Sequence, residues 1–357
     1  MLQFLNRVVN INEELKECNI QLEQLKEAIK KKRQILNTFQ TYVKTKQLKT
    51  PKQKKLKQSK IQLKGHFGTI RDINWCHDNK HLLSAARDGK LLIWDTVTAM
   101  KKKLISFPNP WIVSCAFSPG GNFIASGASS GICTICDVSD LNSPEAKPVE
   151  TQIKCELIGH NGYLSCCKFI DENTIITTSG DSTVGCWNIE KEHMVDIFLG
   201  HRGDVMSVAV DLSSRLCITV SADATAKVWD HRTPKRWILD FSGFHQNDIN
   251  CVQFFPNKHS FVTGSSDASC RLFDLRAYQQ MAIYQNNMQD PISTVDVSVS
   301  GHYIFAGCEN LVLVWDVIHP ESSYQLQHHN KVPRLQVSPS GHVVATGSWD
   351  CMIHLWS

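Results

Sequence analysis

The sequence predicts an all-β fold, a seven-bladed β-propeller, preceded by an N-terminal coiled-coil α-helix. A unit of about 40–45 residues recurs seven times after residue 60, and apolar residues follow a heptad pattern before residue 44. The 357 residues are 42% hydrophobic and 20% charged, so the chain can bury a large core. It contains no run of about 18 apolar residues and no signal-peptide pattern, so we expect neither a membrane span nor secretion.

The first segment, residues 1–43, is predicted to be a coiled-coil helix. With Met1 at heptad position a, every a position and most d positions are apolar. A seam this narrow needs a second helix, from another copy or a different chain, although packing on the propeller wall is an alternative. The central seam residues are Val8, Ile11, Leu15, Cys18, Leu22, Leu25 and Ile29.

Residues 44–60 are predicted to be a basic connector. Residues 26–64 carry 14 Lys and Arg against the single acidic Glu27, whereas residues 65–357 have a net charge of −7. A solvated linker explains such a run, and contact with anionic lipid or nucleic acid is the alternative. The acidic charge of the propeller argues against a specific nucleic-acid site on it.

Residues 61–357 are predicted to form one propeller domain. Each unit ends in a strand-like segment with an aromatic residue, or Cys136 in the second unit; these segments are residues 91–95, 134–137, 184–188, 226–230, 271–274, 313–316 and 353–357. The last unit supplies only three strands. We therefore expect residues 61–64 to add the fourth and close the ring, which removes an exposed sheet edge.

Five units contain a His and an Asp at a nearly constant separation of 21 or 22 residues, with a Ser or Thr four residues before the Asp. A buried carboxylate requires hydrogen-bond donors, so the pattern predicts a structural network in each of these units. Five catalytic triads in one chain are a poorer explanation than architecture. The pairs are His66 and Asp88, His160 and Asp181, His201 and Asp223, His245 and Asp267, and His328 and Asp350.

Enzyme and metal-site motifs are weak in this chain. Residues 127–131 fit G-x-S-x-G, but they fall at a predicted hairpin that no helix follows. Cys133 and Cys136 form a C-x-x-C pair, yet residues three apart on a strand face opposite sides. We therefore expect no catalytic, cofactor or metal site. The 14 cysteines are interpreted as buried thiols of a reducing compartment.

The positions that open the inner strands predict a binding surface at one rim of the propeller. The third and fifth residues after each repeated His point to this rim, and so does the residue before each turn Asp. Large apolar side chains at such positions indicate a protein partner. These side chains are Trp111, Tyr163, Met206 and Trp349, ringed by Lys90, Asp204 and Asp248.

The units resemble WD repeats, and the chain as a whole resembles the β subunit of heterotrimeric G proteins. The segments that carry this resemblance are residues 88–95, 162–167, 200–207, 270–277 and 345–350, whereas residues 1–60 match far less closely. The resemblance implies a signalling role without enzymatic activity. The seam would take an obligate γ subunit, and the propeller face would hold the GDP-bound α subunit and then effectors, downstream of a receptor.

By resemblance, the α-subunit and effector contacts are Phe67, Lys90, Leu92, Lys101, Trp111, Tyr163, Asp204, Met206, Asp248, Asn250 and Trp349. Four other positions depart from the residues usual in the family, which bears on affinity and on the range of effectors; they are Thr69, Val113, Ser129 and Ser266.

The resemblance also implies a cytoplasmic location at the inner face of the plasma membrane. The chain has neither an N-terminal glycine acceptor nor a C-terminal CaaX motif, so we expect lipid anchoring to come from the partners, with the basic connector as a second, electrostatic contribution. The alternative function is a WD-repeat scaffold of another complex, homodimeric through its coiled coil.

Overall fold

The computed structural model describes Glu27 and residues 61–107, 111–142, 152–211, 213–232, 236–285, 288–320 and 323–357. Over these residues the predicted seven-bladed β-propeller is confirmed. The predicted coiled coil, with all seven seam residues, and the basic connector lie outside the described residues, apart from the helical Glu27. Among the described residues, no helix is long and apolar enough to cross a membrane.

The described residues form 28 strands and one 3-10 helix, Ser139–Asn142. The strands are β1 Ile61–Lys64, β2 Ile70–Trp75, β3 His81–Ala86, β4 Lys90–Asp95, β5 Met100–Ser106, β6 Ile112–Phe117, β7 Phe123–Ala128, β8 Cys133–Asp137, β9 Ile153–Leu157, β10 Leu164–Phe169, β11 Thr174–Ser179, β12 Thr183–Asn188, β13 His193–Leu199, β14 Val205–Asp211, β15 Leu216–Ser221, β16 Ala226–Asp230, β17 Leu239–Phe241, β18 Ile249–Phe254, β19 Ser260–Ser265, β20 Ser269–Asp274, β21 Gln279–Gln285, β22 Thr294–Val297, β23 Tyr303–Gly307, β24 Leu311–Asp316, β25 Ser323–Gln327, β26 Arg334–Val337, β27 Val344–Gly347 and β28 Met352–Trp356.

Each blade is an antiparallel sheet of four strands. Blades one to six run in chain order from β2–β5 to β22–β25, and blade seven has the order β26-β27-β28-β1. The first strand of each blade contacts the first strand of the next, and β26 contacts β2, so the ring closes. β1 supplies the outer strand of blade seven, with Leu63 opposite Ile353 and Ile61 opposite Leu355.

The core is divided into seven apolar clusters, each shared by two neighbouring blades. The cluster between blades seven and one, for example, contains Leu63, Ile70, Trp94 and Leu355. Twelve of the 13 described cysteines lie buried among these layers as free thiols, and Cys351 is partly exposed. No blade buries its apolar faces alone, so the blades are stable only as a ring.

The inner strands of blades one to five carry a β-bulge near their first residue. The registers of β2, β6, β10, β14 and β18 each skip one residue; these are Arg71, Val113, Ser165, Met206 and Asn250. A bulge turns the extra residue away from regular pairing and re-aims its side chain. The fifth-residue positions of the repeats are therefore presented at the rim by a bulge.

Four blades contain a complete His–Asp network. In blade three, His160 Nδ1 lies 3.0 Å from Asp181 Oδ2 and Nε2 lies 2.9 Å from Thr177 Oγ1, to which the Trp187 indole N–H donates at 2.7 Å. Blades one, four and five repeat the His–Asp contact at 3.2, 3.1 and 2.9 Å. Burial raises the pKa of Asp181, but hydrogen bonds from Thr183, Asn161 and His160 outweigh it and lower the pKa to about 2.

The prediction that Asp350 pairs with His328 in blade seven is wrong. Asp350 Oδ2 lies 3.3 Å from Nε2 of His354, while His328 keeps only the contact of its Nε2 with Thr346 Oγ1, at 3.1 Å. The physical reason is a competing imidazole. His354 stands two residues before the final Trp356, where blades three and four have Gly185 and Lys227. Its imidazole forms the hydrogen bond with the Asp350 carboxylate in place of His328.

Candidate protein-docking face

The same backbone hydrogen bond holds the predicted rim positions together in six of the blades. In each, the residue before the turn position donates its N–H to the carbonyl of the rim residue. The donor and acceptor pairs are Arg87 and Thr69, Ser129 and Trp111, Gly180 and Tyr163, Ala222 and Asp204, Ser266 and Asp248, and Trp349 and Lys331, at 2.9–3.0 Å. These residues, with the bulged Arg71, Met206 and Asn250, are called the rim face below.

Two exposed aromatic side chains lie on the side of blades one and two. Trp111 is 53% exposed, and the Arg87 guanidinium lies over its ring, 4.5 Å from the centroid. Phe67 is 85% exposed, with the Lys90 ammonium 5.6 Å from its ring centroid. A free indole and a free phenyl ring beside cations provide apolar area together with cation–π contacts.

Trp349 is less exposed than its turn position predicts. Its ring lies between two cations, with Arg71 at 5.6 Å and Lys331 at 5.3 Å from the centroid. Its indole Nε1 is buried without a hydrogen-bond partner. Trp349 thus presents a partly buried ring with the Arg71 and Lys331 cations close to it. The unsatisfied indole N–H costs free energy in the folded protein.

Tyr163 links blades three and four. Its hydroxyl donates to Asp204 Oδ2 at 2.9 Å and lies 3.7 Å from the sulfur of Met206. Burial, followed by the hydrogen bond to Asp204, raises the pKa of Tyr163 to about 12, so it stays a neutral donor at physiological pH. Gly180 gives the ring its space, because a Cβ there would lie 2.4 Å from Tyr163 Cε1.

Asn250 joins blades five and six. Its amide Nδ2 donates to Ser266 Oγ at 3.0 Å and to the Ile292 carbonyl at 2.7 Å. Asp248, which directly precedes the same strand, is exposed. The departure from the family at Ser266 therefore touches a predicted contact residue directly.

Two predicted contact residues lie differently from the others. Lys101 is exposed, and its ammonium is 3.4 Å from the Gly65 carbonyl and 5.8 Å from the Trp94 ring centroid. Leu92 has no exposed area and packs in the core with Ile70 and Trp94. The prediction of a partner contact is wrong for Leu92 in this structure, because the middle of β4 faces the neighbouring blade.

Charge on the rim face is separated into two regions. Arg71, Arg87, Lys90 and Lys331 surround the aromatic rings of blades one, two and seven, whereas Asp204 and Asp248 lie near Tyr163. Burial lowers the pKa of Arg71, and repulsion from the nearby Arg87 guanidinium lowers it further. The sequence positions placed Arg87 and Lys331 at this rim, although neither was predicted to be a contact residue. Arg71 was missed, although it occupies the fifth-residue position that identified Met206 and Asn250.

The geometry of the rim face suits protein binding. Aromatic and methionine side chains next to buried hydrogen bonds, with charges around them, form the usual anatomy of an interaction hot spot. In blades one, three, four and five, the repeated His, Asp and Ser or Thr side chains are hydrogen-bonded to one another as a structural network.

Comparison with known proteins shows the family to which this propeller belongs. Residues 12–357 match the family model described as "G protein beta WD-40 repeat protein". The guanine nucleotide-binding protein subunit beta of Arabidopsis thaliana is 34% identical over 313 residues, covering 83% of this chain and 82% of the relative. Those of Solanum tuberosum and Zea mays are 36% and 33% identical, with the same coverage. The chain therefore belongs to the G protein β subunit family of WD-repeat propellers.

Proposed function

We propose that this chain is the β subunit of a heterotrimeric G protein that holds a GDP-bound α subunit on the rim face. Effectors then use the same face after the α subunit leaves, so the two classes of partner exclude each other. The family consists of G-protein signalling subunits rather than enzymes. The observation that carries the proposal is the set of aromatic side chains on this face, Trp111, Tyr163 and Trp349, each beside a charged residue.

The proposed partner of the N-terminal segment is a small helical γ subunit. The apolar heptad positions from Val8 to Ile29 would form a narrow stripe along one face of a helix. A single helix cannot remove this stripe from water, whereas a second helix packed against it would. We further propose that the complex lies at the cytoplasmic inner face of the plasma membrane. Lipids on the partner chains would anchor it, and the connector would attract anionic lipid by about 1 kcal/mol per basic residue near the surface.

The first experiment identifies the partners of the full chain. We expect purification from a eukaryotic cytosol to yield a heptad-containing chain of under about 100 residues and an α subunit that aluminium fluoride releases. Mass spectrometry with and without fluoride measures both. A homodimer without these partners, or partners indifferent to nucleotide state, would instead support the WD-repeat scaffold.

The rim face is tested by Trp111→Ala. Loss of an exposed indole at a hot spot is expected to weaken binding of the GDP-bound α subunit by about 30-fold or more, equivalent to about 2 kcal/mol or above. Ile197→Ala is the matched control, since Ile197 is also about half exposed, at 48%, but lies on the outer strand β13. Equal affinities of the two variants, measured by titration, would contradict the assignment of this face.

The membrane proposal has its own test. Deletion of residues 44–60 removes basic side chains and is expected to reduce binding of the complex to vesicles that contain phosphatidylserine at low salt, with little change on neutral vesicles. Unchanged sedimentation with the anionic vesicles would show that the connector makes no electrostatic contribution.

A further inference from the structure

Blade seven contains a cluster of three side chains that occurs in no other described blade. One potential ligand atom from each of His328, Asp350 and His354 lies within 4.8 Å of the others. His328 and His354 are 8% and 6% exposed, and the Asp350 side chain is 13% exposed. The cluster is therefore nearly enclosed, with its opening on the side of the carboxylate.

The orientation of the His328 ring directs one nitrogen into this cluster. In the intact networks of blades one, three, four and five, Nε2 contacts the Ser or Thr hydroxyl and Nδ1 contacts the turn Asp. His328 keeps the hydroxyl contact through Nε2, so its Nδ1 faces the turn that carries Asp350. This Nδ1 is buried and has no hydrogen-bond partner, which costs free energy in the folded protein.

We propose that His328 Nδ1, His354 Nε2 and Asp350 bind a divalent transition-metal ion, with Zn²⁺ the best fit. Two imidazoles and one carboxylate are a common zinc ligand set, and a fourth position would hold water or a group from a partner. Donor atoms around tetrahedral zinc lie about 3.3 Å apart, given Zn–N and Zn–O distances of about 2.0–2.2 Å. His354 Nε2 and Asp350 Oδ2 already lie 3.3 Å apart, and the three donor atoms lie within 4.8 Å of one another.

This site rests on His354, which is not part of the repeated pattern. None of the side chains at that position in the other six blades is a usual metal ligand at physiological pH. They are Leu92, Thr134, Gly185, Lys227, Arg271 and Leu313. The sequence alone led us to expect no metal site anywhere in the chain, and the proposed site departs from that expectation. Asp350 follows Trp349 of the rim face, so a bound ion would fix the turn that positions this ring.

The test measures Zn²⁺ affinity of the full chain after treatment with a chelator, by competition with a chromophoric zinc indicator. His354→Gln removes one ligand and is expected to weaken binding by about tenfold or more. His342→Gln is the matched control, because His342 is an exposed histidine on the same blade, and its affinity should equal that of the unmodified chain. Circular dichroism of each metal-free variant checks that the fold is retained.

Substitution of Co²⁺ provides an independent readout. The unmodified chain and His342→Gln are expected to give the visible absorption bands of a tetrahedral cobalt site, and His354→Gln is expected to lose them. Equal zinc affinity of His354→Gln and the unmodified chain would place the ion elsewhere and overturn the proposal. So would the absence of zinc binding by the unmodified chain at micromolar concentrations. Neither outcome bears on the role of the rim face.

Discussion

Each turn aspartate stabilises a blade because its carboxylate collects several donors at once. Asp181 accepts the Asn161 N–H at 2.9 Å and the Thr183 hydroxyl at 2.6 Å, in addition to its contact with His160. These bonds favour the ionised form, which overcomes the cost of burial. The same residue type in blade seven has a different partner, so a single neighbouring side chain decides the network.

Asp181→Asn is expected to destabilise the protein at neutral pH by about 1–3 kcal/mol, since it removes the charge from these hydrogen bonds. The folded-state pKa is about 2, against 3.8 for an ordinary Asp. The stabilisation by the ionised carboxylate is therefore complete above about pH 5 and is lost as the pH falls through 2.

Denaturant unfolding at several pH values measures this effect. The difference between Asp181→Asn and the unmodified chain should shrink as the pH falls from 5 to about 2. Glu156→Gln, at an exposed position on β9, is the control and should change little at any pH. A difference that stays constant over this range would show that the charge of Asp181 does not contribute.

At the scale of elements, two features of the strands control the structure. β1 closes the ring, because it pairs with β28 through all four of its residues. The bulges in the inner strands determine which side chains reach the rim face, since they turn Arg71, Met206 and Asn250 out of regular pairing. Closure of the ring removes a free sheet edge, and each bulge directs one side chain at the start of an inner strand toward the rim face.

Leu63→Ala is expected to destabilise the protein by about 2–5 kcal/mol, because this side chain is 1% exposed in the cluster between blades seven and one. Gln62→Ala is the matched control, since Gln62 lies on the same strand and is exposed. Chemical denaturation measures both. A loss of stability as large in Gln62→Ala would indicate that backbone pairing, rather than burial, determines the contribution of β1.

The whole propeller is held together by clusters that each belong to two blades. A blade that opens exposes the apolar faces of both neighbours, so the free-energy cost extends around the ring. The charge separation on the rim face is also a property of the ring as a whole. It arises from residues of different blades, Arg71 and Arg87 on one side and Asp204 and Asp248 on the other.

We expect the propeller to unfold in one cooperative transition. Tryptophan fluorescence and circular dichroism should give the same midpoint, although the buried indoles of Trp94, Trp187 and Trp229 lie in different blades. Val252→Ala, in the cluster between blades four and five, should lower this single midpoint as Leu63→Ala does. Separate transitions for the two probes would show that blades unfold independently.

The number of blades, the closing strand and the His–Asp spacing follow from the amino-acid sequence alone, because the units recur at nearly constant separations and the last unit lacks a fourth strand. A strand of alternating side chains and a turn Asp with its His recur with nearly constant separations. The sequence also indicated the rim positions, since they stand at fixed distances from each His.

The contacts of individual side chains at these positions become visible only in the folded chain. His354 captures Asp350 across a strand, Leu92 turns into the core, and Arg71 and Lys331 enclose Trp349 from neighbouring blades. Each outcome depends on contacts between residues that are distant in the chain or on competition for one partner. A repeat pattern describes what the units have in common, and these contacts arise where one unit differs from the others.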